Sequence, residues 1–525
     1  MVSSIFIFTI VIVGACIVYF LTSATQDNLG FGEYLWFFHY YIFCNYNEAL
    51  FLTDYPFVSV GDELRDGGLN SMEISTGQIQ NIFGYGRYDA HGLIIPAITA
   101  FFYKIFGGSV LVYRLPAALI SVLDIIFVYL LLSVLTKNKF ASFLGAMVLV
   151  SLPLHLFYSR TEIVVILSSL FATLILLSLF VFVQRKMSNI ADYIFLGALL
   201  GFTFNLHASI KAMSLIVLGV VISLCFYQWL TGKLRIHQFG ISLFLLVFFV
   251  LIGFGPRLLN TPTNIFFHTS RVPLITENNG ADVTDIGEKY KKSLLVWVTE
   301  PTNAWYPDHK PIFSPLLFFL MILGIIVGLY KKNFYLITIL FITLVLHLSN
   351  SALTDILNGD HRLAPLYPIG ALFVGVGISF LLEKIKPKSI KYTLAFVLFI
   401  FLSYQTVLFF LNQPANKNKD VVDYLSMHTI YFLKENDSLY KSNNLTFLVS
   451  PINYQKLNFL HYKEQYNFFF PKKIFFIEKG DTIGDNEIYI QNNDYDYFGK
   501  SFMIRCSDKD YYCPLDYKNN FVIHY

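Results

Sequence analysis

The chain has 525 residues, of which 55% are apolar and only 14% charged, and its mean hydropathy is +0.56. Globular chains carry roughly 25% charged residues, so the composition excludes an ordinary soluble enzyme. A net charge of +3 is too small to point to nucleic acid.

In chain order, apolar runs of the roughly 17–25 residues needed to cross a hydrocarbon core predict spans at about 3–22, 113–136, 140–158, 161–183, 191–206, 209–230, 238–256, 315–330, 333–349, 364–382 and 391–411. If these helices alternate in direction, the basic connections fall on one side: Lys137 and Lys139, Arg185 and Lys186, Lys233 and Arg235, Lys331 and Lys332, and Lys384 through Lys391. The positive-inside rule makes that side cytoplasmic. The N-terminus is then inside, and the loops 23–112, 257–314 and 350–363 and the tail 412–525 are extracytoplasmic. Residues 1–22 read as a retained helix, because the run Ile5–Leu21 is long for a signal peptide and no Lys or Arg precedes it; a cleaved signal is the alternative. Either reading delivers residue 23 to the outside.

The first outer loop holds two polar clusters. Gly61-Asp62-Glu63-Leu64-Arg65-Asp66 sets adjacent carboxylates beside a guanidinium, which offers a general base, a group to orient it and a cation; a solvated acidic turn is the plainer reading. Tyr85-Gly86-Arg87-Tyr88-Asp89-Ala90-His91-Gly92 precedes the apolar stretch 92–106, short for a span and suited to a helix lying on the membrane surface. His91 then sits at a helix N-terminus, where backbone N–H groups favour anions, or it is a simple capping histidine. Arg114 enters the second span as a ligand or as an interfacial anchor. Asp124 lies deep in that span, where a charge costs about 2.5–3.5 kcal/mol on insertion scales, so it is expected to be neutral, paired or turned inward.

Further along, Tyr158-Ser159-Arg160-Thr161-Glu162 forms an outer hairpin, and Asn205, His207 and Lys211 mark the next outer turn. Arg271 lies in the loop 257–314, and Asp360-His361-Arg362 precedes the tenth span with Pro365-Leu366-Tyr367-Pro368 behind it. Taken singly each cluster is ordinary; together they set Arg, His and acids on one membrane face. From Asn412 the composition turns polar, with alternating stretches at 445–449, 473–477 and 487–490 that read as strands. Two domains follow: a membrane domain over 1–411 and a soluble extracytoplasmic domain over 412–525. The fold class is an all-α polytopic bundle of about eleven spans with a small C-terminal α/β domain. Cys506 and Cys513 are close in sequence on an oxidising side, where a disulfide is one reading. No Cys/His spacing resembles a zinc site, and nothing in the sequence requires a metal or another cofactor.

The order of these motifs resembles the GT-C glycosyltransferases of family 39, which include the dolichyl-phosphate-mannose protein mannosyltransferases and the lipid A aminoarabinose transferases. The matching pieces are Asp62-Glu63 after the first helix, His91, Arg114-Leu115-Pro116, Tyr158-Ser159-Arg160 and Arg362 to Pro368, over roughly residues 55–390. The family's His-Pro-Pro turn stands here as His91-Gly92-Leu93, and about forty residues separate the first helix from Asp62. The resemblance implies an enzyme that moves a sugar from a polyprenyl-phosphate donor to a lipid, glycan or protein hydroxyl outside the cytoplasm, with inversion. It implies Asp62 as general base, with Glu63 orienting it and Asp27 and Asp54 as competing acids. A monophosphate leaving group can be stabilised by Arg and Lys without a metal; the candidates are Arg65, Arg160, Arg362, Lys211 and Arg271, with Asp89, His91 and Arg114 toward the substrate. Two other classes share this topology. A glycan polymerase or ligase would place its acids in a late outer loop, and a glycolipid flippase would line several spans with charge, of which only Asp124 is a clear instance.

Overall fold

The computed structural model describes residues 67–84, 92–107, 110–161, 164–187, 189–260, 283–302, 310–353 and 357–412, together with the backbone of five strands in the tail. Two short helices come first, α1 (Asn70–Thr76) and α2 (Ile94–Phe106), with α2 packed on α1 and on the helix that follows. The bundle comprises α3 (Val110–Thr136), α4 (Lys139–Ser151), α5 (Pro153–Ser159), α6 (Val165–Gln184), α7 (Ile190–Phe202), α8 (Ala208–Leu230) and α9 (Ile236–Asn260). After α10 (Val283–Leu295) it continues with α11 (Pro315–Tyr330), α12 (Phe334–Leu353), α13 (Leu366–Lys384) and α14 (Lys388–Asn412).

Every predicted span from 113 to 411 except that at 140–158 falls on one of these helices; the one at 3–22 lies outside the described residues. Seven helices are long and apolar enough to cross a membrane alone, and α7 and α11 are shorter apolar helices. The span expected as continuous over 140–158 is instead broken. Leu152 adopts an extended conformation between α4 and α5, and the two helices meet at 68°. Pro153 is the cause: its ring fixes φ and it has no N–H to continue the ladder of α4, but it is well placed to start a new helix.

Apolar on every side, α6 is the wholly buried central helix, whereas α9 and α14 bury only 28% and 22% of their apolar windows and form the rim. Between helices that are all apolar, packing must come from close backbone approach, and glycines supply it. A Cβ at Gly324 would strike the Phe373 carbonyl, and one at Gly377 would strike that of Leu320, so α11 and α13 meet backbone to backbone. Gly201 and Gly253 do the same for α7 and α9 against the Val250 and Ala198 carbonyls. Short turns around Lys137, Lys186, Lys233, Lys332 and Lys386 join α3 to α4, α6 to α7, α8 to α9, α11 to α12 and α13 to α14, and alternation of the helices sets these turns at one end of the bundle. At that end Lys331 lies 3.8 Å from Glu383 and Arg185 lies 3.0 Å from Asp192.

At the other end α10 is clasped onto α12. The Trp297 indole N–H donates to His347 Nε2 at 2.9 Å, and His347 Nδ1 lies 2.9 Å from Ser293 Oγ. Because Nε2 accepts, a neutral His347 carries its proton on Nδ1 and donates it to Ser293. Asn358 Nδ2 donates to the Lys292 carbonyl and ties α10 to the turn before α13.

The tail strands are β1 (Thr446–Ser450), β2 (Ile474–Phe476), β3 (Glu487–Asn492), β4 (Ser501–Cys506) and β5 (Lys509–Pro514), in sheet order β2-β1-β3-β4-β5. The β1 pairings with β2 and β3 are parallel, and the pairings among β3, β4 and β5 are antiparallel. This register corrects the disulfide reading. Cys513 faces Phe502 and Cys506 faces Lys509, which sets the two cysteines four positions apart, about 13 Å at strand rise and beyond disulfide reach.

Candidate active site

The end of the bundle opposite the basic turns gathers the candidate chemistry. It begins with the turn Thr203–Asn205, a single 3-10 turn between α7 and α8. Asn205 is buried, and its Nδ2 donates to the carbonyls of Phe202 and Gly253, both at 3.0 Å. That fixes the amide and leaves Oδ1 as a buried acceptor with no partner among the described residues. Gly92 packs directly on the Asn205 carbonyl, so closely that any side chain would collide.

His207 starts α8. Its Nδ1 accepts from the Ser209 N–H at 3.3 Å and lies 2.9 Å from Ser209 Oγ, so a neutral ring holds its proton on Nε2. That ring stands edge-on to His361 with centroids 5.6 Å apart, which joins the start of α8 to the turn Asp360–Arg362. One helical turn past His207 comes Lys211, on the same face of α8 and 4% exposed. Among the described residues nothing bonds to its ammonium, and the buried Arg257 lies on α9, which packs against α8. Arg257 donates to the Gly84 carbonyl at 3.5 Å. Burying the Lys211 ammonium away from water costs several kcal/mol, which an anion bound there would offset.

Arg114 and Arg160 lie on the α3–α5 flank of this end and are 0% and 1% exposed. Such burial removes the reading of Arg114 as a lipid-interface anchor. Arg160 follows α5 directly, its N–H bonded to the Phe157 carbonyl. Arg362 is half-buried at the end of its turn, with its N–H on the Gly359 carbonyl at 2.8 Å. The structure thus brings the start of α8, with His207, against the Asp360–Arg362 turn, and sets Arg114 and Arg160 at the same end. Asp62, Glu63, Arg65, Asp89, His91 and Arg271 lie outside the described residues, as does the acidic loop as a whole. Among the described residues no group of His, Cys, Asp and Glu side chains is arranged to hold a metal ion.

Arg257 is the residue that sequence reasoning passed over, because it closes an apolar run and reads there as a span boundary. His155 was passed over too. It sits inside an apolar segment with its ring 3.3 Å from Asp124, whose other oxygen accepts from Thr173 at 2.5 Å.

Away from the cluster, an apolar groove of about 600 Å³ runs between α8 and α12, lined by Leu215, Gly219, Val220, Ile337, Phe341 and Val345. The row Lys211, Leu215, Gly219 descends α8 at four-residue spacing, so the groove begins one turn from the Lys211 ammonium.

Residues 90–254 match the family model described as dolichyl-phosphate-mannose-protein mannosyltransferase. This stretch runs from the segment before α2 to within a turn of Arg257, and it includes Arg114, Arg160 and Lys211. Among solved structures, the chain is similar to ArnT from Cupriavidus metallidurans bound to undecaprenyl phosphate, at 14% identity and a TM-score of 0.43, over 88% of this chain and 76% of that one. The apo state of the same ArnT gives 13% identity and a TM-score of 0.46 over 81% and 82%. A search among curated proteins finds no match.

Proposed function

We infer that this chain, a multi-pass membrane glycosyltransferase of the GT-C type, transfers a sugar from a polyprenyl-phosphate donor to an acceptor hydroxyl on the extracytoplasmic face. The observation that carries the reading is the buried Lys211, on the α8 face that one turn on lines an apolar groove between α8 and α12, with the buried Arg257 on the adjoining α9. A lipid monophosphate has the two parts such a site calls for: an anionic head to meet the buried ammonium and an apolar tail to lie in a groove between spans. The extracytoplasmic placement is supported by the positive-inside rule, because the basic turns occupy the opposite end. It also fits the donor type, since a sugar used outside the cytoplasm must arrive on a lipid.

The reaction is a displacement at the anomeric carbon. Asp62 takes the proton of the acceptor hydroxyl, and the oxygen attacks as the bond to phosphate breaks. The polyprenyl monophosphate leaves with the bonding pair, and the configuration inverts. Glu63 orients the base or the sugar. The negative charge that grows on the leaving phosphate is met by Lys211 and Arg257, with Arg65, Arg160, Arg362 and Arg271 contributing. Such electrostatic stabilisation is usually the largest catalytic term. Asp89, His91 and Arg114 belong to the substrate side, with the bare Asn205 Oδ1 available to accept from a sugar hydroxyl.

The test is donor turnover by the purified, solubilised chain across a panel of polyprenyl-phosphate sugars, comparing wild type with Asp62→Asn. Turnover in the wild type that falls at least about a thousandfold in a folded Asp62→Asn protein supports both the reaction and the base. Undiminished turnover in the variant moves the base to Glu63, Asp54 or Asp27. Translocation of the lipid with no transfer from any donor would overturn the transferase reading in favour of a flippase.

A further inference from the structure

The break in the α4–α5 span creates a mechanical problem. The seven-residue α5 is less than two full turns long and starts at Leu152, which supplies no side-chain cap; a helix that short has little stability of its own. Yet it leads straight into Arg160, whose backbone N–H closes its last turn. Something other than local helix propensity must fix its direction.

A polar contact to a neighbouring helix, and through it to a second, is made by His155, in the first turn of α5. Its Nε2 lies 3.3 Å from Asp124 Oδ2 on α3, and Asp124 Oδ1 accepts the Thr173 hydroxyl of α6 at 2.5 Å. Asp124, Thr173 and His155 are no more than 1% exposed. One carboxylate therefore joins three helices, the short α5 among them. The geometry suits a neutral imidazole. His155 Nδ1 has no hydrogen-bond partner among the described residues, which a lone pair tolerates better than a buried N–H, and so the proton belongs on Nε2, facing the carboxylate. A carboxylate in mid-span is expensive to insert, whereas an apolar side chain would fill the same space. What Asp124 adds is direction, since a hydrogen bond fixes the roll of α5 about its axis as apolar packing does not.

We propose that Asp124 and His155 are positioning residues for Arg160: the buried pair sets the roll of the broken helix α5 and so aims the guanidinium five residues on from His155 at the donor phosphate. This rests on the reading of Arg160 as a donor ligand. The rotation is transmitted because His155 and Arg160 are joined by a little over one turn of hydrogen-bonded backbone. Thr173 holds the other oxygen of Asp124 and keeps the carboxylate from turning with its partner.

The experiment is donor kinetics on the full-length solubilised enzyme with His155→Phe, His155→Gln, Asp124→Asn and Arg160→Gln, and with Asp124→Asn combined with Arg160→Gln, alongside apparent Tm. A positioning role predicts that His155→Phe and Asp124→Asn raise the donor KM about tenfold with kcat within about twofold, and that the glutamine N–H in His155→Gln restores most of the loss. In the Arg160→Gln background, Asp124→Asn then adds nothing further, because the residue it aims is gone. Additive effects in the double variant, or a His155→Phe protein that loses Tm while its KM holds, would overturn the proposal and leave a stabilising pair only. If Asp124→Asn does not fold, the contrast between the two His155 variants decides. An unchanged KM in Arg160→Gln would overturn the role of Arg160 and this inference with it, while transfer dependent on Asp62 would still stand.

Discussion

Replacing Lys211 by methionine keeps the length of the side chain and removes a buried ammonium. In the ligand-free protein the ammonium is held out of water, so its charge costs stability. Its compensation comes when an anion binds there. Lys211→Met is therefore expected to raise the apparent Tm of the ligand-free protein by a few degrees, about 1–2 kcal/mol of relieved desolvation. The same change should raise the donor KM about tenfold to a hundredfold, the cost of about 1.5–3 kcal/mol for a lost charge-assisted contact. Thermal shift and donor kinetics on one preparation check both signs; a variant that loses Tm would mean that Lys211 is held by a structural partner. The residues of this site were unequally legible in the sequence. Lys211, His361 and Arg362 announce themselves as polar groups beside apolar runs. Arg257 and Lys211 are 46 positions apart on different helices, and no spacing rule reveals that those two helices will pack together. Asp124 was visible as a mid-span charge, but its partners His155 and Thr173 each look like ordinary members of an apolar segment.

Between helices, the feature that sets distance is the absence of side chains. Gly377 of α13 lies against the Leu320 carbonyl of α11, and Gly324 of α11 against the Phe373 carbonyl, so each glycine admits the other helix's backbone. Gly377→Leu must push α11 and α13 apart or bend them. Overpacking of this kind costs about 1–3 kcal/mol, and the expected outcome is a Tm several degrees lower. Gly219→Leu on α8 serves as control, because nothing lies within 4 Å of the added atom there. Equal losses in the two variants would refute close packing as the cause. Glycine in an apolar run can equally mark a kink or a face open to lipid, which is why these contacts were not legible in the sequence although the spans were. Apolar length locates a spanning helix regardless of its neighbours, and so every described span was found. The break at Leu152-Pro153 was missed for a related reason. The apolar count runs on through Pro153, and hydropathy is blind to the backbone donor that proline removes.

The whole molecule divides its work between two ends and a side: basic turns at one end, buried cations at the other, and an apolar groove that opens between α8 and α12. A polyprenyl tail entering that groove gains little hydrophobic energy, because it leaves hydrocarbon that is as apolar as the groove itself. On the proposed function the groove serves as a guide that holds the phosphate in register with Lys211, and its contribution to affinity should be small and dependent on chain length. Gly219 tests this directly. It faces open space in the groove, so Gly219→Phe fills the passage without disturbing the bundle. With a long polyprenyl-phosphate donor, KM is expected to rise about threefold to tenfold, or about 0.6–1.4 kcal/mol. With a donor cut to two isoprene units, too short to reach Gly219 about 12 Å along α8 from Lys211, it should be unchanged. Apparent Tm should hold in both cases. An equal rise with both donors would mean that the phenyl ring disturbs the seat of the phosphate and not the path of the tail. No rise with either would place the tail elsewhere on the bundle, and the groove would then be an ordinary lipid-filled gap between spans.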